Sequence, residues 1–237
     1  EGNWIDALTL PQEEGASDEI FVRRTFIDLT GATPTVDEVL IFLSDKRVDK
    51  RALLIDALLS RPAYADYQAL HWCDILRVKS EFPIKLWPNA VAVYHRWVRG
   101  AMLENMPYDQ FARELLTASG SNFRDPPANF FRAVQAKDAG SLAEAAALAF
   151  MGVRTSALSE PDQAALRAFF EQVGYKPTSE WKEEIVYWNR ATPAVSKMTM
   201  PDGAVVSIGA ERDPRRDFAD WLIDPDNEWF ARAAVNR

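Results

Sequence analysis

"HWCDILRVKSEFPIKLWPNAVAVYHRW", residues 71–97, holds both histidines of the 237-residue chain, its only cysteine and three of its eight tryptophans. It is either a metal or catalytic centre or the packed middle of a helical domain. A helix is expected over about residues 64–78, and there His71 and Cys73 stand two positions apart. On a helix that step turns their side chains about 200° away from each other, so they cannot hold one ion together. His95 falls on a separate helix, because Pro83 and Pro88 resist a continuous one. Zinc would further need carboxylates from elsewhere. The stretch therefore reads as two helices pressed together, with no metal and no cofactor.

Outward from there, helical periods dominate the first three quarters of the chain. Ser17 and Asp18 can cap "EIFVRRTFIDLTG", which Gly31 stops. Thr35 and Glu38 have capping-box spacing at the start of "TVDEVLIFLSD". "DKRALLIDALLSRP" puts Leu53, Leu54, Ala57 and Leu58 on one face and ends before Pro62. Pro107 suits the first turn of "PYDQFARELLTA", and "SGSNFRDPPANF" reads as a polar loop before a short helix from Asn129. Ser141 and Glu144 suggest a second capping box, for "LAEAAALAFMGV". Ser159 caps a helix expected to run to Gly174.

Beyond Gly174 the pattern changes. "EEIVYWN" and "SKMTMPDGAVVSI" alternate around the turn Pro201-Asp202-Gly203. Helices resume at "DPRRDFADWLI" and "DNEWFARAAVNR". The fold class is mainly α, a multi-helix orthogonal or bundle-like domain with a small β-hairpin near residues 183–208. The expected divisions are a helical domain over 1–175, a β-hairpin linker over 176–210 and the start of a second helical domain over 211–237. That last segment stops without a cap or polar tail, so the natural chain is expected to continue. A start at Glu1 rather than Met suggests a processed or trimmed form.

A net charge of −8 opposes nucleic-acid phosphates and anionic lipid, and the basic residues are dispersed; no nucleic-acid partner is expected. The most apolar run, residues 142–153, is interrupted by Glu144 and is too short to cross a bilayer, so no membrane insertion is expected. One cysteine allows no internal disulfide framework.

The strongest binding element is the connector inside the opening stretch. Lys79, Glu81, Lys85, Trp87 and Asn89 offer charges, an amide and an indole plate on a proline-stiffened loop, a combination suited to a sugar ring or a peptide. The catalytic alternative is Asp74 with Arg77 and His71, spaced three residues apart so that one carboxylate could orient an imidazole and hold a guanidinium. Ser119, Ser121, Asn122, Arg124, Lys137 and Asp138 lie near helix starts, where an anion could be cradled, yet their spacing matches no phosphate loop. Glu183 and Glu184 are neighbours and on a strand face opposite sides, so they cannot share a proton. Trp181, Tyr187, Trp188, Trp221 and Trp229 are expected to seal the C-terminal core.

Four stretches carry a family resemblance: "FVRRTFIDLTGATPTVDEVLIFLSD", "RALLIDALLSRPAYADYQALHWCDILRVKS", "YHRWVRGAMLENMPYDQFARELLTASG" and "LAEAAALAFMGVR". In this order they resemble the planctomycete cytochrome-associated domain of unknown function, found in exported proteins of planctomycetes and verrucomicrobia. "DPRRDFADWLIDPDNEWFARAAVNR" is similar to the opening of the planctomycete-specific domain that usually follows. The resemblance spans residues 18–173 and 211–237 and implies a periplasmic, extracellular or cell-surface setting. Family members often carry a Cys-x-x-Cys-His haem-attachment element after the stretch matching "LAFMGVR". Here "LAFMGVRTSALSEPDQAALRAFF" has neither cysteine nor histidine, so covalent haem cannot form at that place. The expected function is a non-catalytic binding or assembly module of a larger exported, surface-associated protein, with a glycan or protein ligand and other domains of the same chain as partners. The alternative is a polysaccharide-processing enzyme using a buried carboxylate.

Overall fold

A computed structural model describes residues 15–236 apart from 82, 83, 85, 193–196 and 210. The described residues form two compact units, divided between Gln68 and Ala69. It is mainly α-helical, 56% helix, with small β-sheets amid the helices.

In the first unit, α1 (Asp18–Thr30), α2 (Val36–Ser44) and α3 (Lys50–Leu59) close over Val22, Phe26, Phe42 and Leu58. The Thr35–Glu38 capping box forms as its spacing requires. The Thr35 amide donates to Glu38 Oε2 at 2.8 Å, and the Glu38 amide donates to Thr35 Oγ1 at 3.3 Å. Gly31 ends α1 at φ 68°, and a Cβ there would meet Tyr67 Cδ2 at 2.5 Å, so glycine is required for both backbone and space. Helix α4 (Pro62–Ile75) then leads out of this unit.

The second unit answers the question posed by residues 71–97. Trp72 from α4 and Trp97 from α5 (Pro88–Leu103) both pack on Phe111 of α6 (Tyr108–Leu116). Trp72 lies edge-on at 4.9 Å and Trp97 is stacked at 5.2 Å. Aromatic pairs of this kind add about 0.5–1.5 kcal/mol each beyond simple burial. Tyr94 and Val98 on the inner face of α5 are fully buried beside them. Against this cluster lies α8 (Ala139–Phe150), whose buried Ala143, Ala146 and Ala147 let neighbouring backbones approach. Short α7 (Asn129–Arg132) and α9 (Glu160–Ala168) complete the layer.

Local signals mislead at three places. Helix α8 starts at Ala139 with Asp138 as its cap, accepting from the Ser141 amide at 2.9 Å; Glu144 instead accepts from the Thr155 amide at 2.6 Å. Helix α9 ends at Ala168, short of the expected stop at Gly174, which lies instead in strand β2 (Val173–Pro177). The reason is non-local. β2 pairs antiparallel with β3 (Glu184–Trp188), Gly174 lies opposite Tyr187, and a Cβ on Gly174 would sit 2.6 Å from Tyr187 Cζ. The Tyr187 ring thus covers a gap that only glycine leaves. Finally, β3 does not join the hairpin that follows it. It is the centre of a three-stranded sheet whose other edge is β1 (Gly120–Ser121). The hairpin proper is β4 (Lys197–Thr199) with β5 (Val205–Ser207), turned at Pro201-Asp202-Gly203, where Asp202 accepts from the Ala204 amide.

Helices α10 (Pro214–Leu222) and α11 (Glu228–Val235), read from sequence as opening a second domain, contribute to the core of the second unit. Phe218 packs on Phe169 and Phe170, and Phe230 stacks on Tyr108 at 4.4 Å. Arg215, only 1% exposed, is gripped by Asp213, the Ala118 carbonyl and the Ser119 hydroxyl, with its guanidinium over the Phe131 ring.

Candidate ligand-binding surface

Proline at the first position of α5 places Trp87 as the residue before the helix, in extended backbone at ψ 141°. Its neighbour Leu86 is buried, whereas Trp87 itself keeps 39% of its surface exposed. The loop between β2 and β3 brings Trp181 to the same place. Trp181 was expected to seal the C-terminal core; instead it is 73% exposed. Trp181 stands ahead of the paired positions of β3, whereas Glu183 and Val186 are buried. Between the indoles stands Lys182, its Nζ 4.9 Å from the Trp181 ring and 5.9 Å from the Trp87 ring. Among the described residues no carboxylate pairs with that ammonium.

Polar groups that looked like an anion cradle in the sequence hold this loop in place. Lys182 sits at φ 62°, a left-handed conformation unusual for a side chain with a Cβ. Asn122 Nδ2 donates to the Lys182 carbonyl at 3.2 Å, and the Glu184 amide donates to Asn122 Oδ1 at 2.9 Å. The next residue, Glu183, accepts from the Ser121 and Thr178 hydroxyls, which hold its carboxyl below the ordinary range. Arg124 reaches Glu180 at 3.1 Å, and Glu184 turns the other way to Arg132 and Lys137. Ser119 is taken by Arg215 and Asp138 by the start of α8. A loop tied this tightly loses little freedom on binding a ligand.

The remaining sequence candidates fall in several places. Lys79, Glu81 and Asn89 are exposed, while Lys85 lies outside the described residues. His71 and Asp74 are exposed on α4, but Arg77 is past its end and makes no ion pair with Asp74. The cause is a helix stop without glycine. Arg77 takes φ 58°, the Val78 amide donates to the Cys73 carbonyl at 2.8 Å, and the Arg77 amide donates to Asp74 at 3.2 Å. Three-residue spacing therefore no longer puts the two side chains on one face. Burial, with the nearby Asp74 charge adding to it, pushes the Cys73 thiol up to about 11, so it is a packed thiol rather than a nucleophile. No three His, Cys, Asp or Glu side chains gather as a metal site among the described residues.

One feature carried no sequence signal. A cavity of about 500 Å³ is bordered by Asp202, Asp217, Asp220, Asp224 and Trp221. Asp217 is buried, with Oδ2 unpartnered, and burial raises its pKa above the ordinary value. At Asp220 burial pulls upward too, but Arg113 and Arg212 outweigh it and hold the carboxyl low.

Residues 3–160 match a family model described as PSCyt2, a protein of unknown function (DUF1549). No curated protein and no solved structure matches the chain.

Proposed function

Because the chain belongs to the PSCyt2 family, a domain of exported planctomycete and verrucomicrobial proteins, we propose that it is a non-catalytic binding module whose ligand is a glycan. Family membership places it in the periplasm, outside the cell or on its surface. No helix among the described residues is long and apolar enough to cross a membrane. The observation that carries the reading is the pair of exposed indoles, Trp87 and Trp181, joined through Lys182 on a pinned loop. Indole faces stack on the C–H faces of sugar rings, and Lys79, Glu81, Asn89 and Lys182 supply donors and acceptors for hydroxyls. The rest of the parent protein is the other partner, through assembly.

Affinity electrophoresis through gels containing xylan, mannan or polygalacturonate tests this. Retardation by at least one polysaccharide is expected, and Trp87→Ala and Trp181→Ala should each remove most of it while leaving the fold intact. Retardation by none contradicts the glycan reading. Loss of fold in Trp87→Ala would place that indole in the core.

A second reading, a polysaccharide-processing enzyme, is supported by Asp217 and Asp220, whose environments push one carboxyl up and the other down beside a cavity. Release of reducing ends that disappears in Asp217→Asn would favour it over the binding module.

A further inference from the structure

Two adjoining cavities in the second unit lie apart from the indole pair. One, about 390 Å³, is lined by Arg77, Ile84, Gln135, Gly140, Ser141 and Glu144. The other, about 190 Å³, is walled by Ile75, Leu76, Phe130, Ala145 and Leu148, and apart from Arg77 its lining is wholly apolar. Arg77 and Val134 belong to both walls. The small Ala145 and Ala149 on α8 leave the apolar space open where a larger side chain would fill it.

Arg77 is half-buried there, and its guanidinium has no hydrogen-bond or ion-pair partner among the described residues. Comparable arginines of this chain are paired: Arg61 with Glu38, Arg113 with Asp220, Arg132 with Glu184. The acids nearest the cavities are already engaged. Glu144 accepts from the Thr155 amide and hydroxyl and faces Arg154, and Asp138 caps α8. A partly desolvated cation without a counter-ion is an anion site awaiting its anion. The apolar end has no group to satisfy sugar hydroxyls, so the occupant differs from that of the indole surface.

We propose that Arg77 and these cavities bind a small amphipathic monocarboxylate, such as a medium-chain fatty acid. The carboxylate pairs with the guanidinium, whose planar fork matches it, and the hydrocarbon tail enters the space between Phe130 and α8. This site stands whether or not the glycan reading does.

Calorimetric titration of the purified chain with octanoate tests it. Saturable one-to-one binding is expected, with octanol at least tenfold weaker because it lacks the charge. Arg77→Gly removes the guanidinium while suiting the left-handed backbone, so the fold is kept and octanoate binding should fall tenfold or more. Ala145→Phe, which fills the apolar end, should abolish binding. Octanoate that fails to saturate, octanol that binds equally well, or an Arg77→Gly chain that binds as tightly as the native one would each overturn the proposal.

Discussion

Replacing Arg215 by Met exposes how the last two helices are held. The native guanidinium makes a bidentate pair with Asp213, donates to the Ala118 carbonyl at 2.6 Å and to Ser119 Oγ at 2.8 Å, and lies 4.9 Å from the Phe131 ring. Methionine fills much of the same volume but leaves the buried Asp213 carboxylate and the Ala118 carbonyl without that partner. Breaking a buried pair from one side costs about 3–5 kcal/mol. For a unit of this size about 1 kcal/mol corresponds to 2–4 °C, so thermal unfolding followed by circular dichroism should drop by roughly 6–20 °C. Adding Asp213→Asn removes the stranded charge while keeping the cap to the Arg215 amide, so the double variant should recover part of the loss. A single variant that melts within about 1 kcal/mol of the native chain would refute the reasoning, and with it the view that residues 211–236 are part of the second unit's core.

Other perturbations have defined outcomes. Gly174→Ala drives a Cβ into the Tyr187 ring and should cost about 1–3 kcal/mol in urea unfolding. Gly203→Ala instead meets an unfavourable φ of 84° but touches nothing, so only the smaller backbone cost of about 1 kcal/mol is expected. Arg77→Gly relieves a left-handed side-chain-bearing residue and should raise the melting temperature by a few degrees, about 1 kcal/mol. For pH, the Glu183 carboxyl is held below its ordinary 4.5 by the Ser121 and Thr178 hydroxyls. Its contribution to stability is therefore complete above 4.5 and vanishes as pH falls through the lower folded value. In Ser121→Ala that limb of the acid-unfolding curve should move to higher pH, and an unshifted curve would show that the hydroxyl does not matter.

What the sequence revealed was whatever chemistry is local. The Thr35–Glu38 box, the cap at Ser159 and the Pro201-Asp202-Gly203 turn all depend on residues within a few positions of each other. What it hid depends on distant pairing. Strand β1 finds β3 across more than sixty residues, Gly120 opposite Val186, and no short window announces that. Trp181 lies in the loop between β2 and β3 and is exposed, reversing the expectation for that indole. Trp87 was legible as a candidate because proline flanked it; its companions Trp181 and Lys182 were not, since they arrive from another element. The Asp74–Arg77 row failed for a different reason. Helix stops of this type usually announce themselves by glycine, and here an arginine takes the left-handed position.

The most direct measurement is an indole N–H spectrum of the ¹⁵N-labelled chain, whose eight tryptophans give one signal each, titrated with a soluble oligosaccharide from a polymer that retards it. Trp87 and Trp181 should shift together and saturate at one concentration, while the buried Trp221 stays still. Shifts confined to Trp221 beside the acidic cavity, or no shift at Trp87 and Trp181 with any glycan, would contradict the account.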